Sequence, residues 1–405
     1  MFPQIPITPN IYYVGVNDRT KDLFESMWPL PHGVSYNSYL VVDEKVTLFD
    51  TVDICYAELF LHQIKAVIGD RDIDYLVVNH MEPDHSGSIG MLRRLYPNLK
   101  IVGNKKTFGM LQCYFPEIQD NLVTVEEGDT LNTGSCEFTF VMAPMVHWPE
   151  VMFTYEKSNK VLFSADAFGT FGTLDGNILD SETNLERYYR EMYRYYACIV
   201  GKFGPFVQKV LAKVQGLNLP VEYICPLHGP VWTPAHFQEA WTIYDKLSRY
   251  EADKGAVILY GSMYGHTTVL ADTIARALAQ EGVRDVVCHD VSRTHPSVVL
   301  RDIFRYRALV VGSPTYSNEI FAPIKNVLDL IRTREVKDRI YGVFGSCTWA
   351  GQAVKKLIPF AEEMQWELVG CPVEQKGSAK EEDVCKAVEL GTAIGRRLNE
   401  LYPNQ

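Results

Sequence analysis

The chain has 405 residues, a formal net charge of −11, and hydrophobic and charged fractions of 47% and 22%. Those values suit two or three folded domains and exclude a disordered, collagen-like or coiled-coil chain. The acidic balance argues against sequence-independent nucleic-acid binding, and no run approaches the roughly 20 apolar residues of a membrane helix.

The start, Met1-Phe-Pro-Gln-Ile-Pro6, lacks a basic stretch followed by an apolar run, so no signal peptide is expected. Tyr39–Val42 and Val46–Phe49 flank a polar turn and predict a hairpin. Asp74 to His80 is an apolar strand ending in polar residues, and 136–143, 151–155 and 160–163 come next as strands. Helices are predicted over 56–68, 88–95, 105–113, 184–200 and 235–249. In the 184–200 helix, Tyr189, Tyr193, Tyr196 and Val200 form one stripe, read as core packing, with Tyr196 the candidate donor to a pocket. Phe24 and Trp28 lie in a long N-terminal loop, as a pocket cap or as plain cover.

The texture changes near residue 251, and Arg249 to Gly255 reads as the linker. Strands at 256–260, 286–288, 308–312, 340–345 and 367–371 alternate with helices over 268–280, from Pro323, from Gln352 and over 381–398. That alternation predicts a doubly wound parallel sheet with helices on both faces. The expected domains are therefore 1–250 and 251–405. Nine cysteines, none in a C-x-x-C pair, exclude zinc-ribbon, thioredoxin-type and rubredoxin-type motifs within the chain. They suit a reduced, cytoplasmic setting and read as buried thiols, Cys347 excepted because of its loop.

The densest chemistry is His80-Met-Glu82-Pro-Asp84-His85, directly after a strand. Four metal-capable side chains within six residues can aim at one point. His147, Asp166 and His228 each come after another apolar strand. Taken singly, each is an ordinary polar strand end; together they predict a metal site.

A second constellation lies in three loops. Gly261-Ser262-Met263-Tyr264-Gly265-His266-Thr267-Thr268 joins the first strand of the second domain to its helix. It has neither the Lys of a nucleotide P-loop nor a G-x-G-x-x-G pattern. A short loop rich in hydroxyls fits the monophosphate of FMN; by itself it is equally a plain strand-to-helix turn. Ser313-Pro314-Thr315-Tyr316-Ser317-Asn318 and Ser346-Cys347-Thr348-Trp349-Ala350-Gly351 come after the third and fourth strands. All three loops lie at the carboxyl ends of the strands, where open sheets bind ligands. Tyr316 and Trp349 are flavin walls or surface anchors. His266 is a phosphate partner or is exposed.

The pattern H-x-E-x-D-H, with His, Asp and His at later strand ends, resembles the metallo-β-lactamase fold. Its zinc hydrolases carry H-x-H-x-D-H. Glu82 in place of the second His, together with the flavin loops, resembles the flavodiiron proteins (A-type flavoproteins) over essentially the whole chain. The resemblance implies an α/β chain: an N-terminal metallo-β-lactamase-like αβ/βα sandwich, then a C-terminal flavodoxin-like doubly wound parallel sheet. It assigns His80, Glu82 and His147 to one iron, Asp84 and His228 to the other, and Asp166 to a bridge. His85 binds the second iron or stands behind a water. Carboxylate is the harder ligand, favouring iron over zinc.

The family likeness implies FMN, two non-haem irons, and reduction of O2 to water, of NO to N2O, or of both, in an anaerobe. It implies a head-to-tail homodimer or dimer of dimers, placing one subunit's flavin beside its partner's metals, with Trp349 near that junction. Gln405 comes soon after the last helix, so no fused rubredoxin or flavin reductase is expected. A separate rubredoxin or reduced coenzyme F420 is the expected donor, with no nucleic-acid or membrane partner. The rival readings are a hydrolase of the metallo-β-lactamase superfamily with an appended flavodoxin-like domain, and a redox sensor without turnover.

Overall fold

A computed structural model describes residues 4–217 and 219–403. Its first seven-stranded sheet runs Ile5–Thr8, Ile11–Tyr13, Tyr39–Val42, Val46–Phe49, Tyr75–Val77, Lys100–Gly103 and Leu122–Thr124 in spatial order. The predicted hairpin is present, with Tyr39 opposite Phe49. Its two strands are almost wholly buried, which explains their continuous apolar run in place of strict alternation. A second sheet runs Thr130–Asn132, Glu137–Met142, Met152–Glu156, Val161–Phe163 and Tyr223–Cys225.

Aromatic rings join the two sheets face to face. Phe49 stacks on Phe163 with centroids 4.0 Å apart and planes 7° from parallel. Phe138 packs on Phe49 from the second sheet at 5.1 Å. Helices cover the sheets; Ala57–Ile68 buries Ala57, Phe60, Ile64 and Ile68, the stripe its helical period predicts. Burying each large apolar side chain of this kind contributes about 1.5–3 kcal/mol. The sandwich therefore holds its sheet ends rigidly, and the polar residues leaving Tyr75–Val77, Val161–Phe163 and Tyr223–Cys225 inherit that rigidity.

The C-terminal sheet has the order Val286–Asp290, Asp253–Tyr260, Tyr306–Tyr316, Ile340–Cys347, then Glu367–Leu368 and Val373–Lys376 side by side along the last. These pairings are parallel. The order 2-1-3-4-5 is the flavodoxin-like winding. The single fifth strand expected at 367–371 is two pieces, because Gly370 at φ +74° and Pro372 interrupt it. Two helices, Gly204–Gly216 and Pro296–Arg305, lie outside the predicted set.

By compactness the chain divides into one unit of residues up to Tyr195 with Phe203–Asp245, and another of Tyr196–Lys202 with Lys246–Gln405. The expected linker is built into the second unit. Tyr250 is buried and donates its hydroxyl to the Gly201 carbonyl at 3.1 Å, while Arg339 Nη1 donates to the Tyr250 carbonyl at 2.9 Å. The helix expected over 184–200 ends at Tyr195, and Tyr196–Val200 form a wider turn. Five cysteines, Cys55, Cys113, Cys288, Cys371 and Cys385, are exposed, correcting the expectation of buried thiols. Among the described residues no helix is long and apolar enough to cross a membrane.

Candidate functional site

The H-x-E-x-D-H segment changes backbone type half-way, and that change divides its ligands. His80 and Glu82 lie on non-helical chain beyond the strand Tyr75–Val77, with Glu82 at φ −58° and ψ 139°. Pro83 then opens a one-turn helix, Pro83–Ser86, which carries Asp84 and His85. Thr51 pins that turn, donating its backbone N–H and its hydroxyl to the His85 carbonyl at 2.8 Å each.

Two groups of ligand atoms result: His80, Glu82, His147 and Asp166 in one, and Asp84, His85 and His228 in the other, all seven buried. Asp166 faces both. Its Oδ2 lies 3.2 Å from His147 Nε2 and 3.5 Å from His80 Nε2. Its Oδ1 lies 3.4 Å from His85 Nε2 and 3.9 Å from His228 Nε2. In the second group His85 Nε2 and His228 Nε2 are 3.0 Å apart, and Asp84 Oδ2 is 3.4 Å and 3.5 Å from them.

Buried polar atoms normally find hydrogen-bond partners. Here His80 Nε2, both oxygens of Asp84 and Asp166 Oδ1 lack a bond of ordinary geometry among the described residues. Two neutral imidazoles meeting Nε2 to Nε2 repel unless a cation or proton lies between them. The set therefore fits metal ions: its orphaned atoms converge and are buried, and each is a metal donor.

Protonation tells the same story. Burial opposes charge on His147, yet Asp166 and Glu82 win and raise its pKa to about 9. For His80 likewise, burial opposes the imidazolium but Asp166, Glu150 and Glu82 hold its pKa well above the ordinary value. His228 is lowered to about 4 by burial and by His85. Asp166 is held well below the usual carboxylate range, because His80, His147 and His85 outweigh its burial. In the first group the protons favoured on His80 and His147 take the place of a metal ion, and metal binding would displace them.

Aromatic rings close the second group. Phe24 meets His228 edge-on at 5.4 Å, Tyr195 lies 5.4 Å from it, and Tyr36 is 6.1 Å from His228 and 6.4 Å from His85. Phe24 and Trp28 form a short hairpin where a loop was expected, and both are buried, Phe24 against His228. Trp148 packs edge-on against His80 at 5.3 Å.

Tyr195, and not Tyr196, faces the cluster. Tyr196 belongs to the second unit, where its ring lies against Phe304. The reason is that the regular helix ends at Tyr195, and the widened turn of Tyr196–Val200 points its side chains in new directions. Burial and Asp166 keep the Tyr195 hydroxyl protonated well above its ordinary value. Sequence reading also missed Glu150, which accepts from His80 Nδ1 at 2.8 Å and from the Met81 N–H at 2.9 Å. It missed Glu25, at the hairpin tip with φ +48°, which accepts from Trp28 Nε1 at 3.1 Å. Burial and the charge of Glu82 raise the Glu25 pKa.

In the C-terminal unit a cavity of about 550 Å³ opens at the carboxyl edge of the sheet. Its walls are Ser262, Met263, Tyr264, His266, Thr267, Pro314, Thr315, Tyr316, Ser317, Asn318, Ser346, Cys347, Thr348, Trp349, Ala350 and Gly377. Three of the loop residues singled out shape the cavity from behind. Gly265 at φ +89° opens the helix His266–Gln280, Ser313 Oγ accepts the Phe321 N–H at 3.0 Å, and a Cβ on Gly351 would meet Glu374 at 2.2 Å. Gly377 was missed. Hydroxyls and a helix N-terminus at one end, with the exposed rings of Tyr316 and Trp349 among the walls, fit a monophosphate and a flat apolar ring.

Comparison with known proteins agrees. Residues 34–229 match the ODP family beta lactamase model and residues 258–391 the flavodoxin model. The chain is 31% identical over 367 residues to the anaerobic nitric oxide reductase flavorubredoxin of Escherichia coli, covering 90% of this chain and 76% of that protein. It belongs to the flavodiiron family.

Solved flavodiiron relatives superpose along nearly the whole chain. The rubredoxin oxygen:oxidoreductase of Desulfovibrio gigas matches at TM-score 0.93 and 30% identity, over 98% of this chain and 99% of its own. The flavodiiron protein of Giardia intestinalis matches at TM-score 0.94 and 25% identity, over 99% and 98%. The flavodoxin match implies FMN, and the flavodiiron family carries the diiron site for which the buried His, Glu and Asp groups are suited.

Proposed function

We infer that this chain reduces O2 to water, NO to N2O, or both, at a pair of non-haem irons, with electrons relayed by FMN from an external donor. The observation that carries the reading is Asp166, whose two oxygens face two separate ligand groups. In the oxidoreductase reading one group is His80, Glu82 and His147, the other is Asp84, His85 and His228, and the Asp166 carboxylate spans them. FMN supplies electrons singly or in pairs, and an iron pair supplies a place where a small oxidant accepts them. Relatives named for nitric oxide reduction and for oxygen reduction support both substrates.

The protein's own residues do the positioning. Asp166 fixes the separation of the two ligand groups. Phe24, Tyr36 and Tyr195 keep bulk water from the His228 side, which strengthens every charge interaction within it. Tyr195 holds its proton on the hydroxyl and presents a donor to the Asp166 side. Gly265 and the N-terminus of His266–Gln280 present backbone donors to a phosphate. Tyr316, Cys347 and Trp349 wall the ring end. A rubredoxin or reduced coenzyme F420 is the donor this reading requires, and the working form is a head-to-tail homodimer or a dimer of dimers.

The test is elemental analysis and an absorption spectrum of protein purified without oxygen. About two irons and one FMN per chain are expected, as the two ligand groups and one cavity imply, and then consumption of O2 or NO when a reductant is supplied. Bound zinc with no flavin, after attempted iron and FMN reconstitution, overturns the reading in favour of hydrolysis.

A further inference from the structure

The two ligand groups carry matching first partners but unequal support behind them. On one side, Asp84 is the carboxylate that belongs to one group alone; on the other it is Glu82, and Asp166 is shared. Formal charge at the ligands is therefore balanced. The imidazoles are not balanced. His80 Nδ1 donates to Glu150 Oε1 at 2.8 Å, and both residues are fully buried. His228 Nδ1 donates to a neutral backbone carbonyl, that of Ser35, at 2.7 Å. His85 Nδ1 has no hydrogen-bond partner among the described residues.

A carboxylate only accepts hydrogen bonds, so its contact places the ring proton of His80 on Nδ1 and leaves Nε2 as the lone-pair donor. The Met81 N–H donates to the same oxygen at 2.9 Å, which holds the carboxylate in place against ring rotation. Glu150 Oε2 is buried without a partner among the described residues, so little else neutralises its charge. A second buried carboxylate behind the ligands, Asp50, is differently engaged. It accepts from the Asn79 and His80 backbone N–H groups and from Asn79 Nδ2, and forms no hydrogen bond to a ligand ring.

An anionic acceptor behind an imidazole makes that imidazole a stronger base toward a cation, and the gain grows with the cation's charge. In a buried site the effect is poorly screened. We propose that Glu150 is a positioning residue that makes the two metal positions unequal. The position formed by His80, Glu82 and His147 fills first and favours ferric iron, while the position formed by Asp84, His85 and His228 fills second and favours ferrous iron. This rests on the two-iron reading above.

The experiment is a stepwise anaerobic titration of metal-free protein with ferrous iron, wild type against Glu150→Gln, and then a spectroelectrochemical titration of the loaded proteins. Wild type should show two distinguishable binding steps. Glu150→Gln keeps the shape and a neutral acceptor, and should weaken the first step by 10–100-fold, the usual effect of losing such a partner, leaving the second step in place. The lower of the two iron potentials should rise, by about 59 mV for each tenfold change in the ratio of ferric to ferrous affinity. Glu150→Asp, which keeps the charge, should recover part of both changes. Equal weakening of both steps, or an unchanged first step in a folded variant, overturns the proposal.

A second measurement does not depend on how Glu150→Gln folds. With one equivalent of iron-57, Mössbauer spectra should show one ferrous environment, lost in His147→Ala and kept in His228→Ala. The reverse pattern overturns the assignment of the first-filled position. Wild type that takes up no second equivalent of iron is a different failure, and it removes the two-iron reading itself.

Discussion

Gly229 defines the His228 position with little tolerance. Its φ is +79°, and a Cβ there would meet Thr170 Oγ1 at 2.2 Å. Its N–H donates to Ser35 Oγ at 2.8 Å and its carbonyl accepts from Asn37 Nδ2 at 2.8 Å, so the backbone on the far side cannot retreat. Gly229→Ala should therefore cost about 1–3 kcal/mol through strain and overpacking. Because His228 is the adjacent residue, the second iron should be lost before the fold is. Denaturation midpoints and iron content of the same preparation test this; an alanine variant with full stability and two irons refutes it. At this scale the sequence displayed the ligands and hid their supports. His80, Glu82, Asp84 and His85 are local and share one unusual pattern. Glu150 meets His80 across 70 residues, and no spacing announces such a contact. Tyr195 and Tyr196 differ only in where the helix widens, which propensity does not register.

At the scale of elements, most strands and helices were legible because their apolar periods are strong. Two helices escaped although they bury apolar stripes of their own: Val207, Val210, Leu211 and Val214 in Gly204–Gly216, and Val299, Leu300, Ile303 and Phe304 in Pro296–Arg305. The second also carries a buried carboxylate, Asp302, set against the strand Val286–Asp290 and beside its own neighbour Arg301. His289 Nε2 is 2.8 Å from Asp302 Oδ2, and Arg301 Nε and Nη2 donate to the two oxygens at 2.7 and 2.9 Å. Burial alone would raise the Asp302 pKa, but His289 and Arg301 outweigh it and lower it. A carboxyl whose folded pKa lies below its unfolded value of about 3.9 stabilises the fold above that value and loses the contribution as pH falls through the folded pKa. Asp302→Asn should accordingly destabilise the C-terminal unit by about 1–3 kcal/mol at pH 7. The gap between variant and wild type should hold from pH 8 to about 5 and narrow below about 4. Urea denaturation across that range decides; a gap that is absent at pH 7, or that does not narrow in acid, shows that the charge of Asp302 is not what matters.

For the whole molecule, the metal ligands and the flavin cavity belong to separate compact units, and the function proposed above has electrons pass between them. Tyr264 is 86% exposed and Trp349 84%, with Tyr316 and Met263 also exposed beside them. FMN bound in the cavity would cover part of these rings, and a cluster of large rings at the mouth of a cofactor cavity is also suited to a covering partner. A second copy of the chain is the cover that our dimer reading supplies, since it also brings a metal site to the flavin. On that reading each cofactor is held by its own subunit and only their communication is shared. A monomer, verified by sedimentation and obtained by dilution or by substitution away from both sites, should therefore retain two irons and one FMN yet lose most of its gas consumption. Loss of the cofactors along with the activity would mean that the partner helps to hold them. Undiminished O2 or NO consumption by a verified monomer would show that electrons pass within one chain, and would leave the exposed rings to an external donor.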